Sequence, residues 1–189
     1  MVRMPILHLH DCPARPWKNG QGRTRELAVQ PPAAGMDDFL WRVSVAEVDS
    51  AAPFSAFPGI DRTIVLLDGA GFAMAMDDGR VHALTEPFAP FAFPGEAQVA
   101  VSLAGGPTRD FNLMTRRGRM RGQVGIWREP ADAVLHPHTV LLYCARGRLQ
   151  LDDDTLVAGD AWLPAAAAPV RLVLARGSVV LAVMATPVD

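Results

Sequence analysis

The sequence predicts an all-β protein built from two copies of a small antiparallel jelly-roll barrel, with few short helices. Three observations carry that expectation. Apolar residues alternate with period two in short runs, and helical periodicity is weak throughout. Gly, Pro and Asp punctuate the runs at the spacing of all-β folds. A strand, Gly turn, strand, acidic hairpin pattern then recurs after about 75 or 76 residues, the mark of an internal duplication.

Taken in order, Phe39 to Val48 alternates so that Trp41, Val43 and Val45 share one face while Arg42 and Ser44 share the other. Arg62 to Leu67 is a second strand, ended by Asp68-Gly69-Ala70-Gly71. Phe72 to Met76 runs into Asp77-Asp78-Gly79, a hairpin signal because Asp and Gly tolerate the backbone of tight turns. Ala97 to Leu103 is a further strand, closed by Gly105-Gly106-Pro107. Thr139 to Gly147, followed by Leu149 to Asp154, repeats Thr63 to Gly71 followed by Met74 to Gly79. Pro-bearing bends are expected at Phe93-Pro94-Gly95 and at Gly159 to Pro164, each before a closing Val/Leu strand. The expected architecture is thus a cupin-like double barrel (a bicupin) in one compact unit. Its first barrel spans 1–115 and its second 123–186, with Thr115 to Gly122 as the connecting loop.

Composition removes several function classes. Eighteen basic and twenty acidic residues in 189 leave a net charge of −2 and a pI near 6.2, against binding nucleic acid by bulk electrostatics. The arginines at 116, 117, 119 and 121 lack interleaved aromatics for base stacking and are expected in a solvated loop. No apolar run approaches the roughly 18 residues of a membrane span, and the N-terminus lacks a signal-like apolar core, so no membrane partner and a cytoplasmic location are expected. Cys12 and Cys144 stand in unrelated contexts and are expected to behave as small hydrophobes.

Metal and nucleophile chemistry find little footing. A cupin-type metal set needs a His-x-His pair, a following Glu and a later His. His136-Pro137-His138 has neither, since no Glu follows Glu129 and no His follows His138, while His82 stands alone. No metal and no other cofactor are expected. No Gly-x-Ser-x-Gly elbow or phosphate-cradling glycine loop is present, and no spacing pairs Glu26, Glu47 or Glu96 with an Asp.

The rare residues are more informative. Only one of the eighteen basic residues is a lysine, Lys18, and only two asparagines occur, Asn19 beside it and Asn112. Retaining a compact ammonium where arginine is otherwise used implies a specific need for it. Three polar clusters stand out: Trp17 to Glu26, Phe54 to Arg62, and Gly105 to Met114.

These clusters resemble the HutD/Ves family. The motifs occur in family order: Trp-Lys-Asn-Gly-x-Gly-x-Thr-Arg-Glu from Trp17, Trp-Arg-x-Ser-x-Ala from Trp41, Phe-Ser-x-Phe-Pro-Gly-x-Asp-Arg from Phe54, and Gly-Pro-Thr-Arg-Asp-Phe-Asn-Leu-Met from Gly106. Gln21 departs from the family pattern, which has Gly there; it stiffens the loop and leaves the polar side chains in place. The resemblance covers essentially the whole chain. It implies a duplicated cupin without a catalytic metal, one branch being encoded among histidine-utilisation genes and another associated with stress responses. It further implies a non-catalytic, regulatory protein that binds an anionic intermediate such as formyl- or formimino-glutamate or urocanate.

The residue types suit that ligand class. Arginine recognises a carboxylate with a planar fork, and lysine adds a point charge. Lys18, Arg25, Arg62 and Arg109 are therefore the candidate anion contacts, with Asn19 and Asn112 to orient an amide or formyl group. Trp17, Glu26, Arg42, Ser44 and Asp110 are expected to support them, Glu26 and Asp110 by holding arginines. The alternative is a metal-independent cupin enzyme, an isomerase or hydrolase acting on such a metabolite. A Val/Leu-rich edge strand and the habits of cupins predict a homodimer.

Overall fold

The structure, a computed structural model, describes residues 6–17, 19–128, 135–152, 154–164 and 171–188. The first stretch of chain forms β1 (Ile6–His8), a single 3-10 turn at Leu9–Asp11, β2 (Ala14–Pro16), β3 (Gly22–Gln30) and β4 (Trp41–Val48). There follow β5 (Ile60–Asp68), β6 (Phe72–Met76), β7 (Val81–Leu84), β8 (Pro90–Pro94), β9 (Val99–Leu103) and β10 (Thr108–Arg116). The last are β11 (Met120–Trp127), β12 (Thr139–Arg146), β13 (Arg148–Leu151), β14 (Asp154–Val157), β15 (Asp160–Trp162), β16 (Leu172–Leu174) and β17 (Val179–Pro187).

Sheet order makes the duplication explicit. The strands from β4 to β10 build a large sheet β4-β10-β5-β8 and a small sheet β7-β6-β9. Those from β11 to β17 build β11-β17-β12-β15 and β14-β13-β16. Numbered within its own repeat, each large sheet runs 1-7-2-5 and each small sheet 4-3-6. Within these sheets β10 pairs antiparallel with β4 and β5, β12 with β17, β13 with β14 and β6 with β9, as the jelly roll requires. In the first repeat β3 and β2 extend the large sheet beyond β4, whereas in the second β1 extends it beyond β15.

The termini consequently do not stay with their neighbours in sequence. The described residues of Met1–Cys12 group with those of Gln123–Thr186, and the described residues of Pro13–Gly122 group with those of Pro187–Asp189. Each unit has its own core. Ile64 and Leu66 of the large sheet pack with Phe72, Met74, Val99 and Val101 of the small sheet in one. Leu142, Trp162 and Val180 pack with Leu149, Leu156 and Leu174 in the other.

Local expectations meet three differences. Phe93-Pro94 and Asp160-Ala161-Trp162 are strand, not bend: Pro94 sits at the end of β8, where a missing N–H is tolerated, and Asp160-Ala161-Trp162 pairs with β1 and β12. Of Thr115 to Gly122, expected as the connecting loop, only residues 117–119 form a turn, closed by the Arg119 N–H to the Arg116 carbonyl; the rest belongs to β10 and β11, which lie in different sheets. The polar clusters at Gly22 to Glu26 and Thr108 to Met114 are the strands β3 and β10 themselves.

Candidate functional site

The site lies wholly within the unit of residues 13–122, on the inner face of the large sheet. Cross-strand partners share a face, so the register sorts the side chains into rows. Thr24, Ala46, Asp110 and Leu66 form one row. Glu26, Ser44, Asn112 and Ile64 form the next, followed by Arg42, Met114, Arg62 and Phe93. Apolar rows would simply fill the barrel. Here the polar members border a cavity of about 460 Å³, roofed by Phe54, Ser55 and Phe57 from the β4–β5 loop and by Trp17 and Asn19.

Backbone contacts hold those loops. The Phe54 N–H donates to the Val99 carbonyl at 3.0 Å and the Phe57 N–H to the Gly95 carbonyl at 2.7 Å. Gly95 cannot carry a side chain, since a Cβ would sit 2.6 Å from the Phe57 carbonyl oxygen and 2.7 Å from that of Ile60. On the opposite side Trp17 lies over Gly22, where a Cβ would come within 3.0 Å of the indole and 2.6 Å of the Glu47 carbonyl oxygen. The Trp17 indole N–H donates to Thr24 Oγ1 at 2.8 Å, which fixes the ring at the cavity wall.

Arg62 dominates the electrostatics. It is 7% exposed, and its guanidinium carbon lies 4.9 Å from the Phe93 ring centroid, 5.2 Å from Phe54 and 5.4 Å from Phe57. Three ring faces partly replace the hydration the cation has lost. Arg62 Nη2 donates to Asn112 Oδ1 at 3.1 Å, and Asn112 Nδ2 donates to Asp110 Oδ1 at 2.5 Å. The asparagine thus bridges a cation and a carboxyl group. Two polar atoms of this triad, Arg62 Nε and Asp110 Oδ2, are buried with no hydrogen-bond partner. A buried group left in that state is costly and asks for a ligand or water. Burial lowers the Arg62 pKa to about 10, with the Asp110 charge opposing and Arg42 adding to the fall. Burial likewise pushes Asp110 up to about 7, against the Asn112 hydrogen bond and the Arg62 charge. Beside them, Arg42 Nε donates to Glu26 Oε2 at 2.7 Å, so that cation is already neutralised.

The expected site residues divide cleanly. Asn19, Arg62 and Asn112 line the cavity, as do Trp17, Arg42, Ser44 and Asp110, while Glu26 acts from behind on Arg42. Lys18 lies outside the described residues. Arg25 and Arg109 are not brought to the cavity. Arg25 pairs across with Val45 on the opposite face and reaches Glu47, and Arg109 pairs with Asp68 at 2.8 Å on an exposed edge. The residues that sequence reasoning gave no role are Phe54, Phe57 and Phe93. Their signal was present in Phe-Ser-x-Phe-Pro-Gly, where two aromatics precede an arginine at the start of a strand. Among the described residues no three His, Cys, Asp or Glu side chains converge to hold a metal. The rings of His136 and His138 stand 5.5 Å apart, with the His138 N–H donating to His136 Nδ1.

Residues 9–182 match the family model described as HutD. The chain belongs to the HutD family. It is 36% identical over 151 residues to an uncharacterised 21.2 kDa protein in the hutC 3′ region of Pseudomonas putida, covering 80% of this chain and 78% of that one. It is 35% identical over 181 residues to protein Ves of Cronobacter sakazakii, covering 93% and 96%. The solved structure of HutD from Pseudomonas fluorescens SBW25, in a formate condition, superposes with a TM-score of 0.85 at 28% identity, covering 99% of this chain and all of that one. At 8% identity, an oxalate decarboxylase from Lactobacillus farciminis superposes with a TM-score of 0.67 and covers all of this chain, which establishes the cupin-like fold and nothing further. In this HutD family chain the motif residues Trp17, Arg42, Ser44, Arg62, Asp110 and Asn112 are thus gathered around one cavity.

Proposed function

We propose that this cavity binds a small carboxylate and that the protein is a non-catalytic binding protein acting in a regulatory role. One observation carries the reading: a buried guanidinium, caged by three phenyl rings, borders the cavity with its Nε–H unpartnered. A charge kept there without a partner is expensive, and a bound carboxylate would satisfy it with a charge-assisted hydrogen bond. The cavity volume suits a metabolite of a few to about a dozen heavy atoms, and Asn19, Ser44 and Thr24 offer neutral groups to the rest of it. Family membership and the hut-region relative support an association with histidine utilisation. Formyl-glutamate, formimino-glutamate and urocanate are the candidates that follow.

Thermal-shift titration of the purified protein with formyl-glutamate, urocanate, glutamate and formate tests the proposal. Saturating ligand should stabilise by about 2.7 kcal/mol at a hundredfold excess over Kd. Stabilisation that is undiminished in Arg62→Met would place the anion elsewhere.

Asp110 supports a second reading. A carboxyl group titrating near neutrality beside a cation is equipped for general acid–base work, so a metal-independent isomerase or hydrolase is the competing assignment. NMR of the same compounds incubated with the protein separates the two, since turnover yields new resonances and binding alone does not.

A further inference from the structure

The anion-binding reading leaves one partner unassigned. A carboxylate that accepts the Arg62 Nε–H brings its charge against Asp110, which lines the same cavity and whose buried Oδ2 lacks a hydrogen bond. Two carboxylates in contact, with water largely displaced, cannot both stay ionised, and one of them takes a proton. Resting on that reading, we propose that the ligand enters together with one proton: one carboxylate oxygen accepts the Arg62 Nε–H and the other accepts an O–H from protonated Asp110 Oδ2.

The geometry decides which oxygen carries the proton. Arg62 Nη2 donates to Asn112 Oδ1, which obliges the asparagine to present its Nδ2 hydrogens to Asp110. Asp110 Oδ1 is therefore kept as an acceptor, and Oδ2 is the oxygen left to be protonated.

Charge accounting favours the same answer. The charged groups lining the cavity among the described residues are Arg62 from β5, Arg42 from β4 and Asp110 from β10, with Glu26 of β3 already paired to Arg42. With Asp110 ionised these groups sum to neutrality, and an incoming anion meets no excess positive charge. With Asp110 protonated the site carries one net positive charge, matched to one carboxylate. Burial has already raised Asp110 to about 7 before a ligand adds its own repulsion. The expected ligand class is accordingly a monocarboxylate, or one carboxylate end of a larger acid, in preference to a neutral amide of the same shape.

The test is isothermal titration of the full chain with formate and with formyl-glutamate at about pH 8, in phosphate and in Tris, whose ionisation enthalpies differ. The expected result is uptake of close to one proton per carboxylate bound, and a Kd that weakens up to about tenfold for each pH unit above neutrality. Neither probe titrates its carboxylate there, and no described cavity residue is a histidine. Asp110→Asn cannot ionise, so its binding should proceed without proton uptake and with a Kd flat from about pH 6 to 9. Wild-type binding without proton uptake, or a slope that survives in Asp110→Asn, overturns proton coupling while leaving the carboxylate pocket standing. No binding of either probe at any pH overturns both. Should Asp110→Asn fail to fold, the wild-type proton count decides alone.

Discussion

The two repeats share one strand order and differ in what their inner faces hold. In the strands from β11 to β17, Leu142, Cys144, Leu149, Leu156, Val180 and Ala182 make one continuous apolar core. In those from β4 to β10 the apolar cluster occupies only part of the interior, and the rest is a cavity bordered by Arg42, Ser44, Arg62, Asp110 and Asn112. The exchange is visible at equivalent rungs. Leu66 on β5 pairs with Asp110, whereas Leu142 on β12 pairs with Ala182. Duplication has allowed one copy to keep a well-packed core while the other gives up packing for an unsatisfied polar surface.

Crossed substitutions test that division and carry the largest effects. Leu142→Ala should cost about 2–5 kcal/mol of unfolding free energy in urea titrations while leaving carboxylate affinity intact. Arg62→Met should do the reverse. It should weaken carboxylate binding by about 2–5 kcal/mol, with stability held or improved because an apolar chain then packs among Phe54, Phe57 and Phe93. A melting temperature that collapses in Arg62→Met would make the cation a structural member of the first repeat.

Asp110 gives the next effect. Its carboxyl is raised from 3.8 to about 7 in the folded protein. A raised acid stabilises the fold fully below its unfolded value and loses that contribution as pH rises through the folded value. The window is therefore about pH 4 to 7, and the loss at its upper end is at most about 4 kcal/mol. Asp110→Asn should flatten the fall and stabilise the unliganded protein above neutrality, as measured by urea unfolding at several pH values.

The smallest effect belongs to the other unit. His8 Nδ1 lies 2.6 Å from Asp160 Oδ1, and that hydrogen bond, more than the Asp160 charge, raises the His8 pKa above 6.5. Its contribution is present below 6.5 and fades as pH rises through the raised value. Hydrogen exchange at the Leu9 amide, which donates to the Gly159 carbonyl, should show protection that declines over that interval after correction for intrinsic rates. Asp160→Asn should abolish the pH dependence.

Period two explains both what was legible and what was not. Arg42, Ser44 and Ala46 alternate in sequence and do line the cavity together. Arg109 and Asn112 are an odd number of residues apart, so one regular strand cannot point both inward, and a register shift between Arg109 and Asp110 does not restore the match. Arg25 sits between Thr24 and Glu26 and faces away for the same reason. Residue type marked these arginines as candidates, and parity along the strand assigns them to the outer face. The aromatic cage escaped for another reason. Phe54 and Phe57 come from a loop and Phe93 from β8, so only the fold brings three rings to one guanidinium. The hairpin at Asp77 to Gly79, by contrast, is fixed by local turn chemistry and forms where the residues demand it, with the Gly79 N–H donating to Met76.

The pairing of β1 with β15 sets a timetable for synthesis. Ile6 to His8 are made about 150 residues before their hydrogen-bond partners Asp160 to Trp162. At roughly 5–20 residues per second β1 waits on the order of ten seconds or more for its place. Meanwhile β2 to β10 have every partner they need as soon as residue 116 has emerged. β1 is thus made before β2 to β10 and docks after them. A tag fused ahead of Ile6 would burden the assembly of the second repeat, not the first.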